Sequence, residues 1–319
     1  MNKHQLTGLS MRHESHSYVD AMHAILTHRG SVNLPKATLA GMTVNAFRFT
    51  VSRKLGAASW HAYNWMAEHF LAADFIGITS SQMAGFSFDP TFPVYQKHAI
   101  SAIKRSIDDG TGAVFWKDDF VVAAGYDDEA GILLYADGAD TRDDELKRLP
   151  YEQFGRNDEP YWYFQTLESQ VPLDEREIYR ESFMQAIYKW ETHDPMLPAR
   201  DYACGQAVYP AFIDALQSTD CDEAGAAALI RRYAAAKSDL AAYTAHLACI
   251  WPACAVIAAD YEQLAALLGQ LVLEARTGSA ARLVPLLRQA CTLETHAIQG
   301  MKSMLRETLH NRFHDIGLR

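Results

Sequence analysis

A chain of 319 residues, 49% hydrophobic and 21% charged, exceeds the usual single-domain size and has the composition of an ordinary globular protein, which predicts two domains or one large irregular unit and argues against global disorder. Its formal net charge of −10 argues against nucleic acid and anionic membrane surfaces as partners, because phosphate binding depends on clustered Lys and Arg. A small molecule or a protein is the expected partner.

The first eleven residues carry Lys3, His4 and Gln5 with no apolar run or small-residue cleavage site behind them, so no secretory signal is visible and a cytoplasmic location is expected. Over residues 17–29, Val19, Met22, Ile25 and Leu26 recur on one helical face and Gly30 follows as a left-handed cap, which predicts a helix. Ser17-Tyr-Val-Asp20 is also a capping-box pattern, with Ser at the N-cap and an acidic residue three positions on. Trp60, His61, Tyr63, Trp65 and His69 form an aromatic run that reads as helical core packing or as the lining of a pocket.

Residues 99–109 repeat the helix design with Ile100, Ile103 and Ile107, closed by Gly110. Three strands are predicted next, over 113–116, 120–126 and 132–136, the last two joined by a turn-rich stretch ending in Gly131. Residues 138–160 are rich in Asp, Arg, Gly and Pro, and a linker is expected over 141–173. Beyond it, apolar residues at three- and four-residue spacing predict helices over 174–190, 205–216, 222–247, 261–276 and 282–309. The longest apolar stretch, 245–259, is interrupted by His246 and Pro252; it falls short of a membrane span and reads as a buried helix. All five cysteines lie in this half with no CxxC pair, against a disulfide framework or zinc knuckle. The expected architecture is α+β with antiparallel strands over 1–140, then an all-helical domain over 174–319 that covers a cleft or builds a homodimer interface.

Residues 119–129 read Asp-Phe-Val-Val-Ala-Ala-Gly-Tyr-Asp-Asp-Glu, and Leu133-Leu-Tyr-Ala-Asp137 follows. This stretch resembles the histidine strand of the butirosin biosynthesis protein H-like family, in which a His precedes apolar residues, Gly-Tyr-Asp, a turn and a strand ending in Asp. The family's His-Cys pair opens an amphipathic helix closed by Gly. Here His16-Ser17 opens the helix, Ile25-Leu26 sit at the family's Leu-Leu pair and Gly30 closes it. Residues 99–115 are similar to the family segment leading into the first strand, and Gly205-Gln-Ala-Val-Tyr and Arg231-Arg-Tyr-Ala resemble its later helices. The resemblance implies a papain-like, cysteine-peptidase-like fold in which Cys attacks an acyl thioester or amide, His acts as base, and Asp or Asn orients the His. It also implies acyl transfer from a carrier protein to an aminoglycoside. Ser17 stands at the Cys position and Asp119 at the His position, and only Asp137 fits its family role. No cysteine precedes Cys204, so the nucleophile has not moved by a few residues.

The substitutions define the chemical problem. A helix N-terminus favours an anion by roughly 0.3–1 kcal/mol, which helps a thiol, but a serine hydroxyl still needs a general base in contact. Asp119 is a weak base unless burial strengthens it. His13 or His16 is the expected substitute base, with Asp119 and Asp137 orienting it or balancing charge and backbone N–H groups of the helix start facing an oxyanion. Asp137 also reads as a turn-forming Asp, and Ser17 as a plain cap. The histidines His13, His16, His23 and His28 lack a recognised ligand spacing, so neither a metal nor a cofactor is expected. Arg231 and Arg232 read either as the solvated face of a helix or as a dock for a carrier's phosphopantetheine phosphate. The expected function is acyl transfer, hydrolysis or condensation in specialised-metabolite biosynthesis, on a small-molecule substrate or an acyl carrier protein, with Ser17 as nucleophile. The alternative is a catalytically inactive relative that binds a small molecule or serves as a partner protein.

Overall fold

The computed structural model describes residues 3–139, 146–276 and 280–317, with the side chains of the last helix described as far as residue 306. In chain order the elements are β1 (Lys3–Gln5), α1 (Ser17–His28), α2 (Lys36–Met42), β2 (Thr50–Ser52), α3 (Trp65–Asp74), β3 (Ile78–Phe86), α4 (Phe92–Asp108), β4 (Ala113–Trp116), β5 (Phe120–Asp127) and β6 (Ile132–Ala136). They continue with β7 (Lys147–Pro150), β8 (Tyr161–Gln170), α5 (Glu175–Glu191), β9 (Tyr202–Cys204), α6 (Val208–Leu216), α7 (Glu223–Ile250), α8 (Ala255–Ala275) and α9 (Ala280–Gly317). The fold is α+β, with an antiparallel sheet and a helical C-terminal region.

The chain divides into two compact units, Met1–Leu39 with Trp65–Leu173, and Ala40–Asn64 with Asp174–Arg319. In the first, seven strands run in the order β3-β8-β4-β5-β6-β7, with β1 paired to β5. β4 takes residues 120–123 of β5 and β1 takes 125–127, so the two short strands share one edge of the long one. β5 is buried at every position from Phe120 to Tyr126, so both of its faces are covered. That explains a sequence with no polar alternation. Helix α1 lies against β4 and β5, and α4 against β5 and β8. The Tyr18 ring meets Phe120 edge to face at 5.8 Å.

Two expectations change here. The stretch 141–173, read as a linker, contains β7 and β8, and β8 joins β3 to β4 inside the sheet. Its charged, Gly- and Pro-bearing approach masked a buried run, Trp162 to Leu167, whose aromatic and β-branched residues suit a covered strand. The aromatic run 60–69 is not one helix either. Trp60 ends in a short 3₁₀ turn, Ala57–His61, of the second unit, whereas Trp65 and His69 belong to α3 of the first.

In the second unit the small β2–β9 ladder accompanies α5 to α9. The apolar stretch 245–259 is broken, because Pro252 cannot continue α7 and a 3₁₀ turn, Pro252–Cys254, leads into α8. Pro252–Ala275 is long and apolar enough to cross a membrane by length and composition; it lies against both α7 and α9. The core of this unit holds a buried polar group. Lys237 of α7 pairs with Glu294 of α9 at 2.5 Å, and the Tyr209 hydroxyl donates to the same carboxylate at 2.7 Å.

Candidate functional site

The site forms where the loop before α1 meets the turn that opens β5. His16 is the N-cap in extended conformation and Ser17 the first helical residue, both buried. The capping-box expectation fails. The Asp20 carboxylate accepts from the backbone N–H of Glu14 at 2.9 Å and of Ser15 at 3.2 Å. It holds the preceding loop over the helix rather than closing the helix on Ser17. The helix itself is pinned by Tyr18, whose ring stacks on His69 at 3.5 Å and whose hydroxyl donates to Gln165 Oε1 at 2.9 Å. Tertiary contacts therefore fix the helix start, and the local cap is released for other work.

The turn between β4 and β5 fixes Asp119. Lys117 N–H donates to the Asp119 carbonyl at 2.8 Å. Asp118 sits in the left-handed region at φ 61°, and its carboxylate accepts from Asp158 N–H at 2.9 Å. Asp119 is thereby delivered to the start of α1. Its Oδ1 accepts the Ser17 hydroxyl and the Phe120 N–H at 3.0 Å, and that N–H also reaches Ser17 Oγ at 3.3 Å. Oδ2 stands 3.9 Å from His13 Nε2. On the other side of the ring, His13 Nδ1 lies 3.6 Å from Asp20 Oδ2. The imidazole thus bridges two carboxylates at ion-pair distance, beyond direct hydrogen-bond range.

Backbone geometry holds His13 there. Its N–H donates to the Gly138 carbonyl at 3.3 Å. Gly138 has φ +75°, and a Cβ on it would lie 2.6 Å from that same nitrogen. Only glycine accommodates both demands.

Asp137 directly follows β6, beside the start of β5, where Val122 pairs with Ala136. Its carboxylate accepts from the Lys147 ammonium and from Ala139 N–H at 3.2 Å. Burial pushes the Asp137 carboxyl up, but the Lys147 hydrogen bond and the Ala139 N–H outweigh it, and its pKa lies below the ordinary carboxylate value. Asp137 is committed to Lys147.

A cleft of about 790 Å³ is lined by Arg12, His13, Glu14, Lys117, Asp119 and Asp137, among others, within the size range of small-molecule sites. Ser17 and His16 are not among its lining residues. The structure therefore brings Ser17, Asp119 and His13 into one chain of contacts, sets Asp137 on the same wall with its own partner, and buries His16 in the N-cap. His23 and His28 are turned to the Leu34 and Thr7 carbonyls, at 2.9 and 3.1 Å. Among the described residues no group of three or more His, Cys, Asp or Glu is arranged to hold a metal ion. Arg232, in the second unit, packs 5.5 Å from the Trp60 ring with Nη1 3.2 Å from His61 Nε2, while Arg231 is exposed.

The sequence reading missed Asp20 and Lys36 as members of the site. Lys36 Nζ donates to Ser15 Oγ at 2.8 Å and lies 3.4 Å from Glu14 and 3.8 Å from Asp20 Oδ1. Asp20 was legible only as a helix-capping acid, and Lys36 carried no local signal at all. No family model matches this sequence and no curated protein is detectably similar to it.

Proposed function

We propose that the first unit is a papain-like domain of the butirosin biosynthesis protein H-like kind. In it, acyl chemistry on a small-molecule or carrier-bound acyl group is carried by the Asp119–His13 pair, and Ser17 holds Asp119 in place. Support for the fold comes from an amphipathic helix whose first turn meets the opening of β5, with Asp137 directly after the neighbouring strand β6. These are the three positions at which the family carries its nucleophile, base and orienting acid.

The observation that carries the functional reading is the position of Ser17 relative to the cleft. Its hydroxyl donates to Asp119, and Ser17 is buried off the cleft wall. A carboxylate is a poor acceptor for a serine proton in a nucleophilic step. Asp119 and His13, by contrast, both line the cleft, and their facing atoms are 3.9 Å apart. A water or an acceptor hydroxyl seated beside that gap touches both groups. His13 takes its proton as it attacks the acyl carbon and then passes that proton to the departing thiol, alcohol or amine, while Asp119 holds the attacking group beside the ring. Such acid–base assistance contributes about 10²–10⁴ in rate.

The test is turnover of a simple acyl thioester, S-acetyl N-acetylcysteamine, followed by thiol release and by intact-protein mass spectrometry. Turnover without a covalent adduct, lost in Asp119→Asn, is the expected result. An acyl adduct on Ser17 overturns it. A second reading, a non-catalytic binding module, is favoured by the substitution of both the nucleophile and base positions and by an Asp119 oxygen already satisfied by Ser17 and Phe120. Ligand binding in the cleft with no turnover of any acyl donor would select it.

A further inference from the structure

The buried carboxylate of Asp20 has the geometry of an orienting group for His13, and we infer that Asp20, not Asp137, is the positioning acid of this site. The inference deepens the acid–base reading above and rests on it for its catalytic consequence, but not for its structural content.

Three observations converge. Asp20 Oδ2 is 3.6 Å from His13 Nδ1, on the side of the ring away from Asp119. The Asp20 side chain is wholly buried, held by the Glu14 and Ser15 N–H groups, with the Lys36 ammonium 3.8 Å from its other oxygen. A carboxylate so fixed cannot turn away from the ring. Asp137 is the family's candidate for the role, but it is engaged by Lys147 and Ala139. The groups that surround His13 are thus Asp20 and Glu14 from its own side, Asp119 from the β4–β5 turn, and Lys36 behind Asp20.

Facing Asp20, the neutral imidazole keeps its proton on Nδ1 and presents the Nε2 lone pair to the cleft beside Asp119. Which ring nitrogen carries the proton is set by the partner that the other nitrogen faces, and this choice decides whether His13 accepts or donates at the reacting atom. Lys36 offsets the charge of Asp20 without competing for the ring, since it reaches the opposite oxygen. The loop before α1 and the first turn of α1 therefore carry the base and its orienting acid, seven positions apart. No strand from the other edge of the sheet is required to complete the pair.

The decisive measurement is the tautomer of His13 in the free protein, from long-range ¹H–¹⁵N correlation spectra recorded at alkaline pH. Its signals are assigned by their loss in His13→Gln. The expected result is an Nδ1-protonated ring in the native protein and a mixed or Nε2-protonated ring in Asp20→Asn, which keeps an oxygen for the Glu14 and Ser15 N–H groups. An Nε2-protonated ring in the native protein, or an unchanged tautomer in Asp20→Asn, overturns the inference. Because no substrate is involved, this outcome is independent of whether the protein turns over acyl thioesters. Where it does, Asp20→Asn lowers kcat by about two orders of magnitude with KM little changed. An unchanged kcat in that variant would also overturn it.

Discussion

The Ser17 hydroxyl and the Asp119 carboxylate are hydrogen-bonded to each other across 102 positions of sequence, joining the first turn of α1 to the first residue before β5. Ser17 is buried off the cleft wall and its partner is a carboxylate, so the pair is an anchored carboxylate rather than an activated alcohol. The same Asp119 oxygen accepts the Phe120 N–H, which ties the anchor to the strand itself. What reaches the cleft is the other Asp119 oxygen and the His13 ring.

Ser17→Ala removes the anchor but not the chemistry. A hydrogen bond to a partly exposed carboxylate contributes about 1.5 kcal/mol, so urea unfolding should register a loss of that order. Turnover should fall by no more than about tenfold, the rate equivalent of about 1.4 kcal/mol. Loss of all detectable turnover in a folded variant would restore Ser17 as the nucleophile.

Gly138→Ala tests how His13 is held. The substitution places a Cβ against the His13 nitrogen and forces a side chain into φ +75°. The expected cost is about 1–3 kcal/mol, read by thermal unfolding. The His13 NMR signals should shift more than those of His23 or His28, which rest on the Leu34 and Thr7 carbonyls instead.

The Asp137–Lys147 pair predicts a pH dependence with a defined sign. Asp137 has its folded pKa lowered, so its contribution is present above the unfolded value of about 3.9 and is lost as pH falls through the folded value. Lys147 is raised by its hydrogen bond to Asp137; its contribution is present below about 10.4 and is lost as pH rises through the raised value. In Lys147→Met the Asp137 carboxyl should titrate at higher pH by ¹³C NMR. The stability difference between the two proteins should shrink below about pH 4 and widen toward neutrality.

Lys237 and Glu294 make the second unit sensitive to single substitutions. Both are buried, and Glu294 also accepts the Tyr209 hydroxyl, whose pKa burial and then Glu294 push well above its ordinary value. Lys237→Met leaves an uncompensated buried carboxylate and should cost about 3–5 kcal/mol in denaturant unfolding. Adding Glu294→Gln removes that charge while keeping an acceptor for Tyr209. The double variant should therefore be more stable than Lys237→Met alone; if it is still less stable than the native protein, the ion pair contributes more than its desolvation costs.

Much of the local structure follows from spacing along the chain. The apolar face of residues 17–29 with Gly30 behind it, the uninterrupted apolar run of β5 and the periodic second half each state their own conformation. Periodicity is a local property, and both helix and strand display it within a dozen residues. It also placed Ser17 at the start of α1, Asp119 before β5 and Asp137 after β6. What it did not contain is which distant groups meet. β8 lay hidden behind a charged approach, the aromatic run was divided between two units, and residues 40–64 went with the second one.

The site depended most on the tertiary structure. Ser17 and Asp20 were read as a cap because a capping box is the local solution for orphan N–H groups at a helix start. Once Tyr18 is held by His69 and Gln165, that start no longer relies on the cap. Ser17 then turns to Asp119, and Asp20 to the loop and to His13. The sequence by itself determined which residues could do chemistry. The packing of α1 against the opening of β5 decided which of them meet, because hydrogen bonds and ion pairs between distant segments form only after the sheet has brought those segments together.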